Sequence, residues 1–212
     1  MTTLKVKNKE ELQRIINLEV AEHGYECDLN HLDISNVTDM NHLFYYHSFN
    51  GDISRWDVSN VTNMARMFSH SQFTGDISRW DTSNVRIMEL MFERSIFNGD
   101  ISRWDVSKVT NMRRMFEYAE FTGDVASWVL SRDCNATQVF NKYHESPLGL
   151  LAYLTKERPL PRSFRNNPEY QRALKLTQSL NLNEFQAAHY IYQHLFKPKM
   201  NHQEMTFNDF SL

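Results

Sequence analysis

Apolar and polar positions along this chain recur with a period of 24 residues. Trp56, Trp80, Trp104 and Trp128 keep that spacing, and so do Phe44, Phe68, Phe92, Phe116 and Phe140. Gly51, Gly75, Gly99 and Gly123 follow it, as do Asp33, Asp57, Asp81 and Asp105. Several residue types in one register mark an array of repeats, each too small to bury its own apolar face. In the repeat Asp52 to Gly75, DISRWDVSNVTNMARMFSHSQFTG, the second half carries Val61, Met64, Met67, Phe68 and Ser71. Their spacing is that of one face of a helix. Val85, Met88, Met91, Phe92 and Ser95 repeat it, then Val109, Met112, Met115, Phe116 and Ala119. Ahead of each predicted helix, an Asp-x-Ser cluster such as Asp57, Ser59 and Asn60 can cap the first amides. The stretch Asp76 to Trp80 is β-like, although Ile77 and Trp80 would face opposite sides of a regular strand. Short parallel strands stacked repeat on repeat are expected, with helices on the other side and ladders of Phe, Met and Trp in the core.

The two ends do not repeat. Asn8 and Glu11 have capping-box spacing. Leu12, Ile15, Ile16, Glu19 and Val20 form a mostly apolar stripe, and Gly24 is a helix stop. Residues 1–27 are therefore expected to be an N-terminal helical cap, with the repeats over 28–145. Residues 146–212 predict a C-terminal helical extension: one helix from Ser146-Pro147, a second from Asn167-Pro168-Glu169 and a third capped by Asn183. A basic, Pro-broken loop with Arg158, Arg162 and Arg165 lies between the first two.

The stretch VTNM-x-x-MF, followed by FxGDISRWDVSNVTNM, resembles the BspA-like leucine-rich repeats, of the kind found in Mycoplasma lipoproteins and many bacterial surface proteins. The similarity covers residues 28–140 and is most specific over Asp57 to Phe68 and Asn98 to Phe116. It departs at Arg86 and Ile87, where Thr and Asn would be expected, and decays after Trp128. The resemblance implies an α/β solenoid, a leucine-rich-repeat-like right-handed coil of about five repeats. It also implies a binding role, usually toward proteins, without enzyme activity.

Composition fits a folded domain: of 212 residues, 41% are hydrophobic and 23% charged, with 6 Gly and 5 Pro. The net charge of -3 gives no global attraction to nucleic acid or anionic membranes. That charge is unevenly spread. Residues 1–140 hold 14 Lys and Arg against 20 Asp and Glu, while residues 141–212 hold 9 against 6. Two cysteines far apart, Cys27 and Cys134, suggest free thiols rather than a disulfide framework. The N-terminus has no apolar signal core and no stretch is long enough to span a membrane, so a cytoplasmic location is expected.

No Gly-rich phosphate loop, nucleophile elbow or CxxC appears, and the nine His lack metal spacing, so neither an enzyme nor a cofactor is expected. The Asp ladder reads as turn stabilisation in preference to calcium binding. Arg55, Arg79 and Arg103 form a ladder two residues before it, either a solvated salt-bridge surface or a stripe that reads an acidic protein. The informative positions vary between repeats: Tyr45, Tyr46 and His47 correspond to Ser69, His70 and Ser71, then to Glu93, Arg94 and Ser95, then to Glu117, Tyr118 and Ala119. The second of each set is expected to project outward. Tyr45, Tyr46, Arg94 and Tyr118 are the leading partner-binding candidates, followed by Arg55, Arg79, Arg103, Arg162 and Arg165. The expected function is a stoichiometric inhibitor of a partner protein, of toxin-immunity or phage anti-defence type. The alternative is a fragment of a surface adhesin, and nucleic acid bound through the basic loop is the weaker partner class.

Overall fold

The computed structural model describes residues 3–121, 123, 125, 127–131, 133–136, 138 and 139, together with Pro168, Gln171, Arg172, Lys175 and Ala187. The chain divides into two compact bodies, Met1–Asn141 and Lys142–Leu212. In the second, the five described positions are helical; the rest of the expected helical extension, and the loop with Arg158, Arg162 and Arg165, lie outside the described residues.

The first body opens with strand β1 (Leu4–Lys5) and helix α1 (Lys9–His23). Asn8 Oδ1 accepts the amide of Glu11 at 3.0 Å, and the Glu11 carboxylate reaches back to accept the amide of Lys7 at 2.7 Å. Two otherwise unpaired donors of the first turn are thereby satisfied. At the far end Gly24 has φ +85°, and its N–H donates to Val20 O at 2.9 Å. That conformation favours glycine, which stops the helix. The helix buries Leu12, Ile15 and Ile16. Strand β1 pairs in parallel with strand β2 (Leu32–Asp33), which extends the first repeat by one strand.

Successive repeats meet at parallel bridges, Asp39 with Asn63, Asn63 with Ile87, Ile87 with Asn111 and Asn111 with Asn135, each spanning one period. The sequence places the β-like stretch elsewhere, at Asp76 to Trp80. There the chain turns, with the Trp80 amide donating to Ile77 O at 3.3 Å. This turn resolves the awkward spacing: Ile77 and Trp80 both point inward, 1% and 4% exposed.

The segment whose spacing predicts a helix is a ribbon of consecutive tight turns. Met67, Ser69 and Ser71 donate to the carbonyls of Met64, Arg66 and Phe68, three residues back. The amides between them, of Met64, Arg66, Phe68 and His70, donate sideways to Ile87, Glu89, Met91 and Glu93 of the next repeat at 2.8–2.9 Å. An α-helix would satisfy every interior amide internally and leave none to join repeats. The two arrangements place the same residues inward: Val61, Met64, Met67 and Phe68 are fully buried and Ser71 is 1% exposed. Such turns require left-handed backbone twice per repeat. His42, Arg66, Leu90, Arg114 and Gln138 form one set at positive φ, and Tyr46, His70, Arg94 and Tyr118 the other.

Two columns of phenylalanine fill the interior. Phe44, Phe68, Phe92 and Phe116 stack at 5.5–5.6 Å between ring centres, with planes within 6°. Phe49, Phe73, Phe97 and Phe121 stack beside them at 6.3–6.4 Å. Each Trp is buried and donates Nε1–H into the preceding repeat: Trp56 to Leu29 O, Trp80 to Ile53 O, Trp104 to Ile77 O and Trp128 to Ile101 O, at 3.0–3.2 Å. The indole is large, apolar and donor-only, so it ties repeats together without leaving a polar atom unpaired. At Gly51 a Cβ would lie 1.9 Å from Cys27 O, so any side chain there would push two backbone strands apart. Cys27 and Cys134 are buried, and burial pushes the Cys134 thiol up to about 11.

Removing the indole tests this packing. Trp80→Ala is expected to cost about 3–5 kcal/mol in denaturant unfolding, the range for buried large aromatics. A loss below about 1 kcal/mol would show that the tryptophan column carries little of the core energy.

Candidate partner-binding face

Three Asx turns shape the repeat that starts at Asp52, and the next repeat keeps two of them because Ile87 replaces the third. Asp52 Oδ1 accepts the Ser54 amide, Asp57 Oδ1 the Ser59 amide and Asn63 Oδ1 the Ala65 amide. The clusters expected to cap helices thus close turns, and the Asp rows act as turn formers. The serine two residues on holds Asp76, Asp81, Asp100 and Asp105 below the usual carboxylate range. For Asp76 and Asp100 the serine amide is the larger cause; for Asp81 and Asp105 it is the hydroxyl.

Arg55, Arg79 and Arg103 are exposed, as a binding stripe would be. Their electrostatic partners are Asp52, Asp76 and Asp100, three residues earlier, and not the row two residues later that the spacing suggests. Arg55 also lies 4.0 Å from Asp28 of the preceding repeat. Opposite charges thus alternate along this row, and exposed pairs of this kind contribute little each.

The second left-handed set, at the corner of the turn ribbon, differs. Tyr46 is 64% exposed, Tyr118 46%, and Arg94 is also exposed. Tyr46 stacks on His70 at 4.1 Å between ring centres, with its hydroxyl 3.2 Å from His70 Nε2. Arg94 lies over the Tyr118 ring, 4.6 Å from its centre. Tyr45 is 37% exposed and meets Tyr46 edge-on at 4.6 Å. The fold therefore gathers Tyr45, Tyr46, Arg94 and Tyr118 along one edge. Arg162 and Arg165 are outside the described residues.

Sequence reasoning passed over His70 as a stacking partner, and over the set His42, Arg66, Leu90, Arg114 and Gln138. The signal was present: these positions keep the period yet change chemistry from repeat to repeat. None of the nine left-handed residues is Gly or Asn, the types that relieve this conformation.

Residues 17–128 and 69–147 match the family described as Mycoplasma protein of unknown function, DUF285. The chain belongs to that family. No curated protein and no solved structure matches it. Both matched stretches of this DUF285 chain run through the corner column and the tryptophan-bearing turns. Among the described residues, no three His, Cys, Asp or Glu side chains converge to hold a metal ion, and no helix is long and apolar enough to cross a membrane.

Two measurements follow from this geometry. The depressed Asp groups stabilise the fold above the unfolded-state value of about 4, and that contribution is lost as pH falls through the lower folded values. Thermal midpoints should therefore fall on acidification below about pH 5, and combined Asp→Asn changes at 76, 81, 100 and 105 should flatten the fall, since Asn keeps the turn acceptor. An unchanged acid profile in that variant would remove these turns as its source. At the corner, Arg94→Gly should raise stability by up to about 1 kcal/mol: about 1–2 kcal/mol of left-handed strain is released, offset by glycine's freedom in the unfolded chain. Arg94→Ala should bring no gain; equal losses in both would mean side-chain contacts outweigh the strain.

Proposed function

We propose that this chain is a non-enzymatic protein-binding module. In this reading the repeats form a solenoid of the BspA-like leucine-rich-repeat kind, and the corner column meets the partner. One contrast carries the reading. Interior positions keep the same residue type from repeat to repeat, whereas Tyr46, His70, Arg94 and Tyr118 occupy one equivalent, outward and strained position with different chemistry. Aromatic and Arg side chains on a rigid support are what binding hot spots use. The narrower proposal is a cytosolic stoichiometric inhibitor of toxin-immunity or anti-defence type, which would act by occupying its partner's surface; an exported adhesin is the alternative.

The test compares the tagged full chain with a Tyr46→Ala, Arg94→Ala, Tyr118→Ala variant in the native host. The native chain is expected to retain a protein in one stoichiometry. The variant should lose it roughly tenfold or more, at an unchanged melting temperature. Equal retention by both chains would move the binding site elsewhere, and no retention by either would remove the binding role. Fractionation of the host separates the cytosolic inhibitor from an exported adhesin.

A further inference from the structure

The cations of the corner are not equivalent, and the difference indicates what the face reads. Glu89 lies 3.7 Å from Arg113 and accepts from Asn111 Nδ2 at 3.1 Å. Glu117 lies 3.6 Å from Arg114 Nε, which donates to Gln138 Oε1 at 2.8 Å. Glu93 accepts from Ser69 Oγ at 3.0 Å and has His70 Nε2 4.0 Å away. These three carboxylates are engaged, and Arg113 and Arg114 with them. Among the described residues, Arg66 and Arg94 make no ion pair.

Arg94 is held beside an aromatic ring and not by a carboxylate: its Cζ lies 4.6 Å from the Tyr118 ring centre, and a guanidinium engaged this way keeps donors for a bidentate acceptor. Arg66, in the first left-handed set, adds a second cation: with Lys9 it disfavours charge on His42, whose pKa is lowered first by partial desolvation, and His42 meets Tyr45, which meets Tyr46 edge-on. Beside them the stacked Tyr46–His70 pair offers a fixed aromatic surface. The row Arg55, Arg79 and Arg103 differs in having an aspartate three residues before each arginine that the arginine helps to keep ionised, with Asp28 also 4.0 Å from Arg55.

We infer that the corner binds a carboxylate-bearing segment of a partner protein, with Arg66 and Arg94 receiving acidic groups and the Tyr46–His70 pair receiving an apolar or aromatic side chain. This rests on the protein-binding reading and narrows it. A short acidic segment is favoured over a nucleic acid strand. The excess of 20 acidic over 14 basic residues in 1–140 opposes a long polyanion, whereas a short segment needs only the two local cations.

The test pans a random peptide display library against the full chain and against an Arg66→Gln, Arg94→Gln variant. Gln138 occupies the same left-handed conformation, so glutamine is compatible with these corners. The native chain should select peptides rich in Asp and Glu next to aromatic residues. The variant should lose that bias, and the best selected peptide should bind it roughly tenfold or more weakly by fluorescence anisotropy. Selection without acidic bias, or an acidic bias kept by the variant, would overturn this inference and leave the protein-binding reading standing. Selection of no peptide above a blank surface would sink both. Oligothymidylate displacing the selected peptide at lower concentration would assign the corner to nucleic acid and overturn the inference.

Discussion

Sideways hydrogen bonding between repeats is the constraint on which the rest of this structure depends. Every second amide of the turn ribbon must leave its own repeat to reach the next, as Met64, Arg66, Phe68 and His70 do. A backbone meeting that demand cannot be helical, because the helix claims the same amides. It folds into tight turns, and tight turns in this register need left-handed residues at two corners. The phenylalanine columns, the indole bonds and the close approach at Gly51 follow from holding repeats at one backbone hydrogen-bond spacing.

The corner is where this economy of hydrogen bonds meets solvent. Its side chains lie outside the core: Tyr46, Arg94 and Tyr118 are exposed. Nor are they fixed by it, so Tyr, His and Arg replace one another in the same place. Membership of the DUF285 family carries no function with it. The functional proposal stands on this division between an invariant interior and a variable, exposed edge.

Much of this was legible in the sequence. The period, the aromatic ladders, the cap at Asn8 with Glu11 and the stop at Gly24 are local or periodic signals, and each corresponds to a described feature. The turn ribbon was not legible. Residues at i, i+3 and i+4 face inward from a helix and from consecutive turns alike, so Val61, Met64, Met67 and Phe68 predict burial without distinguishing the backbone. The usual sign of a left-handed corner, a glycine or asparagine, is missing at all nine positions. The Arg55 row misled for another reason. Spacing along the chain pairs it with Asp57, whereas the turn brings Asp52 and, from the preceding repeat, Asp28 nearer.

The indole bond has a consequence for how such an array changes over time. Each tryptophan reaches a carbonyl 27 residues earlier, one period and three residues back, whichever repeat it belongs to. Excising or duplicating one whole period therefore rejoins donor and acceptor in register, with no new core to invent. The edge is thereby open to lengthening or shortening by one position at a time, so its footprint can be resized separately from its chemistry.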